Sequence, residues 1–439
     1  MNRWLDRLGL RTPEIRAWAL YDWANSAFMT TIVLVYGIYY PTVAGADLPP
    51  AVATERFAWT TTLAMTIVAV LSPVLGAVAD AAGAKKKMLA AFIVFGVTST
   101  ALLFTVQRGE WVWGAVLYIL GNIGVTASFV FYESLLPHIA REDEIDRVST
   151  AGYALGYIGG GTILAINLLW INKPEWFGLR DAELASRVSF VSAALWWAVF
   201  SIPCLLRVPE PPVPFAKPRS AAALVGSAVT DIAHTLRDLR GYRNAFLLLV
   251  AFMLYNDGIQ TIIRMATPYG TELGISRGAL IGTLVVTQFV GVPFAFLFGA
   301  LAGRLGPKRT LYIPLAVYFV ITVLAYRMKT AADFFVLAML VATVQGGSQA
   351  ISRSLFATLI PRHKSAEFFA FFGVFEKFAG IFGPLIFAAM IRFTGSSRPA
   401  ILAIVVFFAA GGLLLTRVNV EEGRRRAREE EARVLAEAG

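Results

Sequence analysis

Charged and amide side chains occur inside stretches of this sequence that are otherwise apolar. Runs at 17–40, 111–136, 244–268 and 333–356 each contain a series of them. At about 100° per residue, Asp22, Asn25, Ser26, Met29 and Tyr36 share one helical face. Tyr118, Asn122, Thr126, Phe129 and Glu133 fall within a narrow arc, as do Asn256, Asp257, Gln260, Arg264 and Thr267. Gln345, Ser348, Gln349, Ser352 and Arg353 share a broader face. A charge at the centre of a bilayer costs about 2.5–3.5 kcal/mol, so such residues face a cavity, a partner or a ligand. Asn25, Asn122, Asn256, Asp257, Gln260, Arg264, Gln345 and Gln349 are therefore candidates to line a cavity for a small polar molecule. Asp22, Glu133, Arg353, Glu376 and Lys377 are candidates for ion coupling or gating. For Glu133 and Arg353, near the cytoplasmic span ends, interfacial or gate salt bridging stands level with ligand contact, and for Asp22, about a turn and a half inside its span, a helix-end or loop partner near the interface is the alternative. Asp257 and Arg264 are seven residues apart, about 10 Å along a helix axis, so each is expected to find its partner elsewhere. Glu376 and Lys377 are adjacent and cannot point at one spot.

The elements that must carry these residues are membrane helices. Of the 439 residues, 57% are hydrophobic and 15% charged, and the mean hydropathy is +0.64. A soluble chain carries roughly a quarter charged residues. Apolar runs of about 20 residues alternate with short charged loops, the pattern of a polytopic membrane protein. Twelve spans are predicted: 17–40, 57–79, 88–107, 111–136, 148–170, 187–206, 244–268, 278–302, 310–328, 333–356, 366–391 and 398–417. Spans 3, 6, 9 and 12 have no charge in their interiors, whereas 1, 4, 7 and 10 carry the polar stripes. The simplest arrangement puts those four around a central cavity and the uncharged four outside, against lipid.

The net charge of +10 is topological and not a nucleic-acid signature. Lys and Arg concentrate at 1–16, 85–87, 141–147, 207–243, 304–309, 353–364 and 417–433, which alternate spans put on one side. By the positive-inside rule both termini are expected to be cytoplasmic, in the inner membrane if the cell is bacterial, with anionic lipid attracted to that face. The leader MNRWLDRLGLRTPEIR reads as a charged lead-in to span 1, not as a cleavable signal peptide. Cys204 is the single cysteine, so neither a disulfide nor a thiolate metal cluster is expected. His138, His234 and His363 fall in predicted loops far apart in sequence. No nucleophile–base set, phosphate loop or metal spacing appears, so neither an enzyme nor a cofactor or metal is expected, and the chain is expected to be monomeric.

Four segments follow: a six-helix bundle at 1–206, a cytoplasmic linker at 207–243, a second bundle at 244–417 and a charged tail at 418–439. The linker opens with RVPEPPVPFAKPR, which its prolines stiffen, and continues as a candidate amphipathic surface helix. The tail EEGRRRAREEEARVLAEAG is helix-prone and mixed in charge. It reads foremost as a solvated tail with local i,i+4 pairs, with a regulatory or partner-binding role as the alternative.

The two bundles echo each other. GAVADAAGAKKK at 76–87 and GALAGRLGPKR at 299–309 both leave an apolar run, break at glycine and end in basic residues. Gly76, Gly83, Lys85 and Lys86 correspond to Gly299, Gly306, Lys308 and Arg309 at one constant offset of about half the chain, the period of two homologous halves. The Gly-x-x-x-Asp-x-x-Gly-x-Lys-Lys loop resembles the signature loop of the major facilitator superfamily. YDWANSAF at 21–28, FMLYNDGIQTI at 252–262 and SRSLFATLIPRHKSAEFFAFF at 352–372 resemble the branch related to the autophagy-linked vacuolar amino-acid effluxer. The resemblance implies an all-α fold of twelve transmembrane helices in two pseudo-symmetric six-helix bundles that rock about a midplane site. It further implies that Asp80 binds across the bundle interface near the start of span 11, that Gly76 and Gly83 permit close approach, and that Lys85 and Lys86 anchor the inner face. Ala81 stands where many members have arginine. Gly303 replaces the acid of the second copy while Arg304 keeps the base, so the latch is expected to be asymmetric.

Those readings converge on secondary transport of a small polar organic solute, amino acids first, with a proton or another ion as the coupling candidate. Efflux of amphipathic toxic compounds and a non-transporting solute sensor are the alternatives.

Overall fold

A computed structural model describes residues 3–211, 237–275, 277–379 and 397–438, together with Phe382, Ile386, Met390 and Phe393. The described residues are helical, without a strand. In lipid this is forced, since a helix satisfies its backbone polar groups internally. Eleven helices among the described residues are long and apolar enough to cross a membrane. With a twelfth element they are α1 (Pro13–Ala44), α2 (Pro50–Ala82), α3 (Lys85–Leu102), α4 (Trp111–Ile139), α5 (Ile145–Asn172), α6 (Ala182–Arg207), α7 (Arg243–Glu272), α8 (Arg277–Leu305), α9 (Pro307–Ala325), α10 (Ala331–Thr358), α11 (Ser365–Phe378) and α12 (Ser397–Ala403 continued by Val405–Thr416). A further helix, α13, runs over Val420–Ala438. Most of 379–396, where span 11 was expected to finish, lies outside the described residues, as does the Pro-rich and candidate amphipathic part of the linker at 212–236.

Helix α1 departs from the expected geometry. It is α-helical over Pro13–Ala27 and then π-helical over Phe28–Tyr36 and again over Tyr40–Ala44. An i→i+5 turn is wider than an α turn, so the 100° spacing fails beyond Ala27. Met29 is accordingly 45% exposed, while Tyr36 is fully buried and stacks on Tyr118 of α4. The single polar face expected from Asp22 to Tyr36 ends at Ser26.

The halves meet along α2–α11, α5–α8, α5–α10 and α4–α11. The α2–α11 and α5–α8 contacts are related by the internal repeat. A Cβ at Gly76 would lie 2.5 Å from the Ala366 carbonyl oxygen at the start of α11. A Cβ at Gly299 would lie 2.1 Å from Thr150 Oγ1 at the start of α5. At Gly76 the neighbour is backbone and the contact requires the missing side chain, whereas at Gly299 the neighbour is the Thr150 side chain. Polar chemistry then separates the two copies. Asp80 pairs with Lys85 at 2.8 Å and accepts the Glu367 backbone N–H at 2.7 Å across the interface. Lys85 Nζ also crosses it, donating to Ser365 Oγ at 2.6 Å. Gly83, at φ 58°, turns the chain out of α2 so that Lys85 folds back. The backbone N–H of Lys86 donates to Glu210.

In the second copy Lys308 binds the Thr416 and Val418 carbonyls, closing α12 within its own half. Arg304 and Arg309 are exposed, and Gly306 makes the positive-φ turn into α9. Of the second set, then, Gly299 touches the other half while Lys308 does not.

His138, expected in a loop, lies in the last turn of α4, where its Nε2 is 3.1 Å from both Lys85 Nζ and Ser365 Oγ. The reason is that α4 runs past Pro137 instead of stopping there. The tail is not a free solvated helix either; α13 rests on the second half, with Ala427 and Val434 buried.

The missing acid at Gly303 has a waiting partner, because a Cβ there would sit 3.5 Å from Arg147 Nε and Nη2. Gly303→Asp should therefore stabilise the protein by up to about 1 kcal/mol, the upper range for a partly exposed pair. Thermal unfolding in detergent checks this, with the gain expected to vanish in an Arg147→Ala background and a gain that persists there counting against the pairing.

Candidate functional site

The polar residues of the spans gather at two places. The first is a cluster built around Arg353, which α10 points into the opposite half. Its guanidinium is 1% exposed. Nε donates to Ser149 Oγ at 2.9 Å, and Nη2 donates to the Ser149 carbonyl at 2.9 Å. Asp22 Oδ2 of α1 lies 3.4 Å away and Glu133 Oε1 of α4 lies 3.9 Å away. Tyr132 donates its hydroxyl to Asp22 at 2.8 Å. Three aromatic rings enclose the cation, with centroids 4.5 Å (Tyr153), 5.0 Å (Trp18) and 5.8 Å (Tyr132) from the guanidinium carbon. Arginine suits this role because its plane stacks on rings while its edge forms a fork of donors.

Local sequence explains how each neighbour is held. Trp18 and Asp22 are one turn apart on α1. Trp18 donates Nε1–H to the Tyr132 carbonyl at 2.9 Å and stacks on the Tyr132 ring at 4.5 Å. On α5, Ser149, Gly152 and Tyr153 fall on one face by i, i+3, i+4 spacing. A Cβ at Gly152 would lie 2.5 Å from Asp22 Oδ2 and 3.2 Å from Arg353 Nη2, so glycine there makes room for the ion pair. At the next residue of α10, Ser354 donates to Asp146 of α5, and Ser149 donates to the Ala350 carbonyl, one turn before Arg353, at 2.8 Å. Two carboxylates, from α1 and α4, thus face one guanidinium.

The second place is the α7–α10 seam. Gln349 donates to Asn256 Oδ1 at 2.7 Å, and the hydroxyls of Tyr255 and Ser352 share a hydrogen bond. Asn256 is fully buried and Asp257 is 1% exposed. Gln260 and Gln345 are half-buried, and Arg264 is exposed. Asp257 and Arg264 lie two turns apart on the same face of α7.

Asp22, Glu133 and Arg353 belong to the first place and Asn256, Asp257 and Gln349 to the second, while Glu376 is half-buried on α11. Asn25 lies one turn beyond Asp22, buried, with no hydrogen-bond partner for its amide nitrogen among the described residues. Asn122 belongs to neither, since it donates to the Tyr118 carbonyl of its own helix at 2.8 Å. The side chain of Lys377 lies outside the described residues. For Asp22, pairing at the membrane surface gives way to a contact between halves. Sequence reading missed Trp18, Tyr132, Ser149 and Tyr153. Available signals were the i, i+4 placement of Trp18 with Asp22 and the serine–glycine–tyrosine stripe of α5.

Comparison with known proteins accords with this geometry. Residues 52–428 match the family described as vacuole effluxer Atg22 like. An uncharacterized MFS-type transporter of Bacillus subtilis, YxiO, is 37% identical over 93% of this chain and 96% of its own length. Autophagy-related protein 22 of Coccidioides immitis is 27% identical over 88% of this chain and 75% of its own. In structure, the fucose:proton symporter FucP of E. coli aligns over 93% of this chain and 98% of its own with a TM-score of 0.67; at 12% identity that likeness shows the fold alone. The chain belongs to the Atg22-like effluxer family, has the major facilitator fold, and is a transporter rather than an enzyme.

Removing one member of a buried ion pair costs about 3–5 kcal/mol because the other charge is left stranded. Arg353→Met should destabilise the protein on that scale, and adding Asp22→Asn should recover part of the loss. Unfolding of the purified single and double variants measures the coupling, and equal losses with and without Asp22→Asn would contradict it.

Proposed function

We propose that this chain carries a small polar organic solute, amino acids first among them, by alternating access, with a proton as the coupling ion. The supporting observation is the cluster of buried polar groups from α1, α4, α5 and α10 between the two halves, with a second polar group on the α7–α10 seam beside it. A midplane site between repeats is where such a fold binds its solute. Asp257 and Arg264 offer opposite charges on one helix, which suits a zwitterion better than a neutral sugar. The amides of Asn25, Asn256, Gln260, Gln345 and Gln349 add donors and acceptors without further charge.

In this conformation the end bearing both termini is shut, by Arg353 deeper in and by Asp80, Lys85 and Ser365 nearer the surface. Opening it must separate Arg353 from Asp22 and Glu133. Buried carboxylates stripped of their cation favour protonation, since burial disfavours the charged form. This links gate opening to proton uptake in a single step. The excess of basic loops at the same end supports placing it in the cytoplasm, next to anionic lipid. The chain acts as a monomer in this reading.

Counterflow of labelled amino acids by the full chain in liposomes tests it. Asp257→Asn should keep the unfolding temperature and lower uptake by about ten-fold or more, as expected for loss of a hydrogen bond to a charged group. Asp22→Asn should retain solute exchange while losing its response to an imposed pH gradient. Full uptake by Asp257→Asn would remove it from the site, and an unchanged pH response in Asp22→Asn would remove it from coupling.

A further inference from the structure

The tail helix α13 is attached to both halves. Its attachment to the second half is extensive. Asn244, at the start of α7, accepts the Asn419 N–H at 2.8 Å and donates to Glu422 at 3.3 Å. Arg424 Nε donates to Thr358 Oγ1 at the end of α10, and Glu431 accepts the Arg362 N–H at 2.7 Å. Gly423 presses on Leu359, where a Cβ would come within 2.6 Å of a leucine methyl. Arg426 lies over the ring of Tyr242 at 5.6 Å. Pairs such as Arg425–Glu429 and Arg433–Glu430 support the helix along its own surface.

One acid of the other half faces this helix. Glu142, in the turn between α4 and α5, lies 3.7 Å from Arg424 Nε and 3.9 Å from Arg428 Nη1. The turn itself is fixed, because Glu144 two residues on pairs with both Arg11 and Arg141. Arg424 also acts on Asp146, the α5 acid that binds Ser354. Two arginines of a helix anchored in one half therefore face one acid anchored in the other, at the end that is shut.

We propose that α13 is a strap across the terminal end: held by the second half, it uses Arg424 and Arg428 to bind Glu142 and favour the closed state of that end. The proposal rests on the alternating-access reading. Exposed ion pairs are individually weak and screened by salt, so the strap tilts an equilibrium and does not lock it. Removing it speeds opening of this end without touching the solute site.

The test is a distance measurement between nitroxide labels on the exposed residues Lys87 and Arg309, one in each half, in the full chain in nanodiscs. Cys204 is buried and leaves labelling to the introduced cysteines. Glu142→Arg should raise the ratio of open to closed populations about five-fold at low salt, the size expected of one or two such pairs. The charge swap Glu142→Arg with Arg424→Glu and Arg428→Glu should bring the ratio back toward wild type, and 1 M salt should shrink the difference between wild type and Glu142→Arg. Amide exchange over 420–438 reports whether α13 stays docked. Because the second half holds α13 without Glu142, an unchanged ratio in Glu142→Arg overturns the strap whatever the swap does, and so does a swap that fails to recover while α13 remains protected. A single distance in wild type and variants alike, in protein that still transports, overturns the alternating-access reading itself, whereas two populations that ignore Glu142 overturn only the strap.

Discussion

A guanidinium buried between two bundles of helices is the constraint on which the arrangement of this protein depends. Arg353 cannot be left alone in an apolar interior, because an unpaired buried charge costs several kcal/mol. The opposite half meets that cost with Asp22, Glu133, two oxygens of Ser149 and three aromatic faces. Each of those groups is in turn positioned by something less conspicuous: a glycine at 152, a tryptophan–carbonyl bond, a tyrosine hydroxyl on Asp22. The halves are therefore joined by a contact that is specific and also reversible. Hydrophobic packing of equal area would hold them together with nothing to switch.

The internal repeat gives the same junction a second layer nearer the surface. Both copies supply a glycine that lets α2 or α8 touch the partner half, so the steric part of the latch is symmetric. The charged part is not. Asp80 and Lys85 bind Ser365 and the Glu367 backbone, whereas the second copy has Gly303 opposite Arg147 and spends Lys308 on closing α12. Rigid-body rocking of two related bundles needs matched surfaces on both sides of the pseudo-axis, and it tolerates unequal charges. The asymmetry leaves one side of the interface, α2–α11, more strongly held than α5–α8 in its outer layer.

The family-defining parts of the fold were legible because they are local. Hydropathy marks spans wherever lipid removes the alternatives, and the repeat is a matter of offset. The polarity of Asp22, Glu133, Arg353 and Asp257 was equally plain, since each interrupts an apolar run. That Asp22 and Arg353, 331 positions apart, form one pair was not legible, because only the packing of α1, α5 and α10 brings them together. Nor was the π-helical course of α1, which rotates Met29 away from Tyr36 with no break in composition to announce it. The docking of α13 was hidden for a different reason. A mixed-charge helix suits water as well as it suits a polar surface, and nothing in its own sequence identifies Glu142 or Asn244 as its partners.

The central claim is that transport requires the two halves to separate at the end that is shut here. Thr150 and Gly299 lie on opposite halves at that seam, with the Thr150 Cβ 3.2 Å from where a Cβ at 299 would stand, a few tenths of an ångström short of the spacing a disulfide adopts. The measurement is solute counterflow by the full chain carrying Thr150→Cys and Gly299→Cys, before oxidation, after oxidation and after reduction. The crosslinked protein should stop transporting, and reduction should restore transport. Undiminished counterflow in fully crosslinked protein would contradict it.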